Sequence, residues 1–447
     1  MFFVNKEKEI NIELLQKMIN KFNIEVKPKL KKNKDYYEGK QAILKKAYSD
    51  SSKPCSKVVI NYCKNIVDSY VGYLASPEHI SYSSEQDIES IMDILRYNDH
   101  NTEDSDFLLE ALVYSVAYEL VYIDESSQVR FKLLNPLQCF AIYDDSLTGD
   151  LIGLVRMYDD DSWDDSNLIK VDVYLNNSIK HYTMSGNNGY LQFIDEEPHY
   201  FSQVPANVLV MPNEESIFNC IVSMQDAVNE IVSSEIDDFS AFCDAYLVLT
   251  NLDADEEDIK KMKENRVLVL PNDGSAEWLV KQNVSDQSEN ILKRLHDSIY
   301  RIASCPDFSS ESFVGGVSSG IAIQYRLTGM ETRAAKIVAA MKKALQRRIE
   351  IITGIASLKL GEEVFRDIEI NFSRNIPVDL TSTIAVVNSL KGVVSDKTLL
   401  GQLPFISDVN AEIEALQKQK EANMALYNFG GNDDTDPIEN DENEGQE

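Results

Sequence analysis

GIAIQYRLTGMETRAAKIVAAMKKALQRRIEIITGIASL, residues 320–358, is the stretch on which the fold of this chain turns. Ile323, Leu327, Met330, Ala334, Ile337, Met341, Leu345, Ile349 and Ile352 recur at steps of three and four without a break. That is the spacing of one helical face. Arg326, Arg333, Lys336, Lys342, Lys343, Arg347 and Arg348 fall on the other faces. A single helix over this stretch would run roughly 60 Å. Small domains do not offer that length, so an elongated molecule is expected.

The stretches before it lead to the same expectation. Residues 305–319 form a loop rich in Ser and Gly. Residues 286–303 form a helix with Ile291, Leu295, Ile299 and Ile302 aligned, and Asp286 and Glu289 stand at capping-box spacing. Residues 214–242 read as one helix of roughly 40 Å. A small α/β insertion separates the two helices. It has strands at 246–249, 267–270 and 276–280, a helix at 256–263, and a turn at 271–274. Between residues 119 and 210 the apolar period shortens to two. Eight strands fit there, at 120–123, 130–134, 139–143, 151–158, 169–175, 178–183, 190–194 and 208–211, as one meander-like module. Helices fit 9–22, 61–74, 86–97 and 102–115 near the N-terminus. A strand at 368–372 and helices at 380–394 and 409–425 follow the long helix. The tail from Asn432 holds 8 acids and no Lys or Arg, and is expected to be disordered. The fold class is α+β, in several parts.

Composition excludes several functions. The 447 residues carry 74 acids against 43 bases, a net charge of −31. Such a chain does not wrap DNA by neutralising phosphates. It presents either a plain soluble surface or one that keeps a polyanion from sticking. Residues 1–64 are locally basic, with 15 lysines against 7 acids. The first ten residues show no secretory signal, and no apolar run is long enough to span a bilayer. The chain is expected in the cytoplasm when made, with its six cysteines as free thiols. No Cys/His cluster or H-E-x-x-H segment points to a metal, and no cofactor is expected. The acid run 159–165 lacks the EF-hand glycine and terminal glutamate, so it reads as a solvated turn. No G-x-x-x-x-G-K-[ST] loop exists to cradle ATP phosphates, so the chain is no ATP-driven motor.

Gly316-Val317-Ser318-Ser319-Gly320 matches the G-x-S-x-G nucleophile elbow. The elbow needs a buried strand before it and a histidine after it. Residues 307–313 read as a polar loop, and all five histidines precede Ser318. A serine hydrolase therefore stands only as an alternative, which labelling of Ser318 by a fluorophosphonate would revive.

Several local strings, in order, resemble the portal proteins of long-tailed phages that infect Gram-positive bacteria. They are Tyr36-Tyr37-Glu38-Gly39; VVINYCKNIVDSYVGYLASP at 58–77, with Asn61, Ile66-Val67-Asp68, Gly72-Tyr73-Leu74 and Pro77; RFKLLNPLQCFAIYDD at 130–145; SSGIAIQYRLTGMETRAAKI at 318–337; and SDKTLLGQLPFISDVNAEIEALQKQ at 395–419. Ala75 and Ser76 stand where a glycine is frequent, and Ile323 and Met330 replace leucines.

The resemblance implies a homo-oligomeric ring, usually of twelve subunits, at one capsid vertex. That ring is a conduit for double-stranded DNA in packaging and ejection. It has no catalytic residue of its own and docks the terminase, capsid and scaffolding proteins and a head-completion adaptor. The implied parts are a wing (1–213, rejoined by 320–378), a stem (214–242 and 286–304), a clip (243–285), a tunnel loop (305–319), a crown (379–427) and an acidic tail (428–447). On that mapping Ser309, Ser310, Ser312, Gly315, Gly316, Ser318 and Ser319 lie next to DNA. Tyr246, Val248, Trp278 and Leu279 pack the clip between neighbours. Asp226, Glu230 and Glu235 are candidates to face the channel. The implied location is the virion's portal vertex, reached from the host cytoplasm. A different head–tail connector or minor capsid protein is the alternative, although such chains usually lack a long helix after a Gly/Ser loop.

Overall fold

The computed structural model describes residues 2–5, 8–48, 54–76, 79–159, 168–186, 189–242, 246–250, 260, 275–279, 285–309, 320–354, 367–374, 380–401, 403, 406 and 409–429. They form two compact units, residues 1–375 and 376–447. The protein is mixed α and β.

The first unit opens with β1 (Phe2–Val4) and α1 (Ile12–Lys21), whose Asn11 side chain caps it by accepting from the Leu14 N–H at 2.9 Å. The helix expected over 9–22 does not simply stop. It passes through a π-helical turn, Phe22–Val26, into α2 (Lys27–Tyr37). Pro28 sits in the first turn of α2, where no N–H is missed. The lysines of α2 leave it a thin apolar face, of which only Leu30 and Tyr36 are buried. That is why periodicity passed over it.

α3 (Tyr62–Leu74) follows the expected 61–74, with Asn61 as its cap. Ile66, Val67, Tyr70 and Leu74 are fully buried, each contributing roughly 1.5–3 kcal/mol by removal from water. After β2 (Ile80–Ser83) come α4 (Glu89–Tyr97) and α5 (His100–Tyr114).

All eight strands expected between 119 and 210 form: β3 (Val116–Ile123), β4 (Val129–Leu134), β5 (Cys139–Asp144), β6 (Leu151–Asp159), β7 (Leu168–Tyr174), β8 (Ser178–Ser185), β9 (Gln192–Pro198) and β10 (Ala206–Val210). They do not make one sheet. β5 to β9 form an antiparallel meander that takes β1 as a parallel edge, whereas β3 and β4 pair with β10 in a separate sheet. Period-two alternation marks a strand and one buried face but carries no information about its partner. The two sheets share a core, with Tyr118, Leu120, Leu134 and Ala206 from the smaller and Cys139, Ala141, Leu154 and Tyr174 from the larger.

The next helix differs from the expected 214–242. α6 runs Val222–Phe242. Asn213 and Glu214 both have left-handed backbones, φ 63° and 54°, and these break any helix there. Ile217 and Phe218 then turn into the core, and the Ile217 N–H bonds the Leu112 carbonyl at 3.1 Å. β11 (Tyr246–Thr250) and β12 (Ser275–Leu279) pair antiparallel. Of the remaining insertion only Lys260, which is helical, is described. The expected strand 267–270 and turn 271–274, and the rest of the helix 256–263, lie outside the described residues. α7 (Ser285–Ile302) matches its expected span. α8 (Gly320–Thr353) has 34 residues, about 50 Å at the usual rise, and is described to Gly354. Its face of Leu327, Met330, Ala334, Ile337, Met341, Leu345, Ile349 and Ile352 is buried as the spacing requires. β13 (Glu369–Phe372) closes the unit by pairing with β2.

The second unit holds α9 (Leu380–Leu390), a turn at Gly392 with φ 84°, α10 (Asp396–Leu400) and α11 (Val409–Phe429). α9 was expected to reach 394. Gly392 ends it, and Ser395 caps the unexpected short α10 by accepting from the Thr398 N–H. The acid run 160–165 and the tail from 430 lie outside the described residues.

Candidate functional site: two helices and the joint at their root

α6 and α7 pack on each other and lead away from one joint. On α6 the residues Gln225, Asn229, Ser233 and Asp237 are all buried, at a strict spacing of four. They face an extended segment that leads into α3. Gln225 Oε1 accepts from the Tyr62 N–H, Asn229 Oδ1 from Ile60 and Ser233 Oγ from Val58, each at 3.0 Å. Asp237 Oδ1 accepts from Ser56 at 2.6 Å. The match is geometric. Four helical residues advance about 6.0 Å, and two extended residues advance about 6.6 Å. The helix thus offers a polar ladder where a strand would offer backbone.

The ends of this ladder are charged. Burial alone would raise the Asp237 pKa, but the Ser56 N–H and hydroxyl, with Lys46 nearby, hold it below the usual carboxylate range. Lys46 pairs with Glu230 at 2.9 Å. Asp226 accepts the Tyr36 hydroxyl at 2.9 Å. Two of the three acids considered for a channel wall are therefore engaged by the N-terminal segment, and Glu235 is half-buried.

The N-terminal strings meet at the same place. Asn61 Nδ2 donates to the Tyr37 carbonyl at 2.8 Å, Gln41 Nε2 donates to Asn61 Oδ1 at 3.1 Å, and the Tyr37 hydroxyl donates to Asp68. Gly39 turns the chain beside Asn61 with φ 81°, a left-handed backbone that side chains rarely adopt.

At the joint, Arg333 of α8 donates Nη1 to the Ala303 carbonyl at 2.9 Å and Nη2 to the Ile217 carbonyl at 2.6 Å. One guanidinium thus ties the end of α7 and the lead-in to α6 to the long helix. The buried Tyr70 hydroxyl donates to the Ala303 and Ser304 carbonyls, at 3.1 and 3.0 Å. Ser304 takes φ 53°, and Cys305 is buried, which pushes its thiol up to about 11. The bend between α7 and α8 starts here. Asp307 Oδ1 accepts from the Ser309 N–H at 3.0 Å and from its hydroxyl at 2.6 Å. Ser309 is exposed. Ser310, Ser312, Gly315, Gly316, Ser318 and Ser319 lie outside the described residues. In the β11–β12 pair, Tyr246 stands opposite Leu279, Leu247 opposite Trp278 and Val248 opposite Glu277.

The far half of α8 is held by charge. Arg348 is fully buried, between Glu119 of β3 and Asp104 of α5, with Phe131 under its guanidinium at 4.4 Å. Nε reaches Glu119 Oε1 at 2.9 Å, and Nη2 reaches Oε2 at 2.6 Å. The spacing of α8 placed Arg348 off its apolar face. The ladder on α6 and the Arg348 anchor were both missed, because polar residues at helical spacing read as exposed until a partner is known. The repeat of four at 225, 229, 233 and 237 was the signal available.

Among the described residues, no three His, Cys, Asp or Glu side chains are grouped to hold a metal. No helix there is long and apolar enough to cross a membrane. The described cysteines Cys55, Cys63, Cys139, Cys220 and Cys305 are free.

Residues 16–425 match the family model described as "Phage portal protein, SPP1 Gp6-like". Among curated proteins, the portal protein of Bacillus phage SPP1 is 22% identical over 451 residues, which cover 93% of this chain and 86% of that one.

Proposed function

This chain belongs to the family of SPP1 Gp6-like phage portal proteins, and on that premise we propose how its parts serve a portal. It is a portal protein of the capsid vertex, in a structural family whose rings pass DNA. The observation that carries the reading is a match spanning residues 16–425, nearly the whole chain.

In our reading α6 and α7 are the stem, the β11–β12 pair belongs to the clip, residues 305–319 are the tunnel loop, and the unit from residue 376 is the crown. The chain serves as conduit and docking platform, while ATP hydrolysis belongs to a terminase partner. Several features support this. Arg333 and Tyr70 fix the root of both stem helices at the point where the loop begins. Each protomer also leaves apolar side chains uncovered on the stem. Phe239 is 73% exposed, and Ile236, Ile291 and Ile302 are exposed beside it in sequence or on α7. Neighbouring copies in a ring would cover such residues. Short Ser and Gly side chains in the loop suit contact with a sliding polymer, and the net charge of −31 opposes phosphate adhesion.

Negative-stain microscopy and native mass spectrometry of the purified chain test the proposal. Closed rings with an axial hole, twelve-fold by the family's habit, are expected. A uniform monomer across concentrations would overturn it.

A further inference from the structure

At the lead-in to α6 a cavity of about 170 Å³ is lined by Ser216, Arg333, Lys336, Glu215 and Cys220, among others. Arg333 and Lys336 stand three residues apart on α8, so they share a face. Arg333 spends two N–H groups on main-chain carbonyls, which are neutral. Neither cation makes an ion pair among the described residues. Glu215 is the acid of this lining, so the charge balance there is one positive. In a chain of net charge −31 this is an uncompensated positive site.

The second observation is independent of charge. Ser216 is 3% exposed, and its Oγ finds no hydrogen-bond partner. A buried hydroxyl left unpaired is costly and calls for a group that the protein does not supply. Ser216 also lines an adjoining cavity of about 590 Å³, which Lys29 and Lys32 border together with Glu214 and Glu215.

We propose that Ser216, Arg333 and Lys336 bind one phosphate group. The cavity has the volume of five or six waters at about 30 Å³ each. It has room for a tetrahedral oxyanion and its hydration. Lys336 supplies a point charge, Arg333 its remaining donors, and Ser216 a hydroxyl proton. The group is either free phosphate or one phosphodiester of a DNA strand. The site needs no ring and stands apart from the assignment of stem and loop.

The test is a titration of the full chain with inorganic phosphate at low ionic strength, followed by heat or by phosphorus-31 line width, with chloride as control. Saturable binding is expected. Lys336→Glu should weaken it at least about tenfold and Ser216→Ala about fivefold, while Glu215→Gln should tighten it. Lys336 is exposed, so its replacement leaves the fold intact. Phosphate should also slow alkylation of the exposed Cys220, read by peptide mass. A second arm adds a short DNA duplex. Competition that disappears in Lys336→Glu assigns the site to the DNA backbone, and phosphate binding without competition assigns it to free phosphate. The proposal fails if neither ligand binds in a Lys336-dependent way, or if both substitutions leave phosphate affinity unchanged.

Discussion

Arg348 shows what one residue can decide. Two carboxylates, Asp104 and Glu119, converge on its guanidinium in a site closed to water. Such a pair does not raise stability above what a well-packed apolar core would give, but removing one partner strands a buried charge. Arg348→Ala should therefore cost about 3–5 kcal/mol in denaturant unfolding, and Arg348→Lys should not restore the bidentate bond to Glu119. Burial would raise the Asp104 pKa, but Arg348 and His100 reverse this and leave it below 3.8. A depressed acid contributes stability that is complete above its unfolded value and lost as pH falls through the folded one. Acid unfolding should accordingly steepen below pH 3.8, and Asp104→Asn should remove that part of the curve.

Glu110 works in the opposite direction. Burial, and then Asp106, raise it to about 7, and its Oε2 has no partner. The folded state then holds a proton that the unfolded state gives up, so stability falls as pH rises from 4.5 to about 7. Glu110→Gln should match the parent below pH 4.5 and exceed it by about 2–3 kcal/mol above pH 7. Equal pH profiles in urea melts would contradict this.

At the scale of elements, the α6 ladder replaces sheet pairing with side chains. Asn229 is its centre. It accepts from the Ile60 N–H and from Gln225, and donates to Gln41 at 2.5 Å. Asn229→Ala should leave these groups unpaired and cost about 1–3 kcal/mol. Hydrogen exchange should then speed up at Val58, Ile60 and Tyr62 while the amides inside α6 keep their protection. Loss of protection along α6 itself would mean that the ladder holds the helix rather than the segment. Elements were legible wherever apolar period and capping agreed, as in α3, where Asn61 precedes a run of buried positions. They were misjudged where a polar residue had a tertiary task. α2 has too little apolar surface to announce itself, and the lead-in to α6 carries helix-like spacing through Asn213 and Glu214, whose backbones turn left-handed.

For the whole molecule, the division after Asn375 makes a prediction of its own. Residues 1–375 close their own core. A chain ending at Asn375 should unfold cooperatively, with a midpoint within about 4 °C of the full chain. A broad, uncooperative transition would show that the second unit completes the first.

The strands between 116 and 210, the long helix after the Ser/Gly loop and the strings that mark the family were readable from the chain alone. Periodicity and capping are local, and a few neighbouring residues determine them. Which strands share a sheet, where α6 starts, what holds Arg348 and that Ser216 is buried without a partner were settled only by tertiary structure. Arg348 and Asp104 lie 244 residues apart. A polar side chain is exposed or buried according to whether the fold brings it a partner, and no local pattern carries that information.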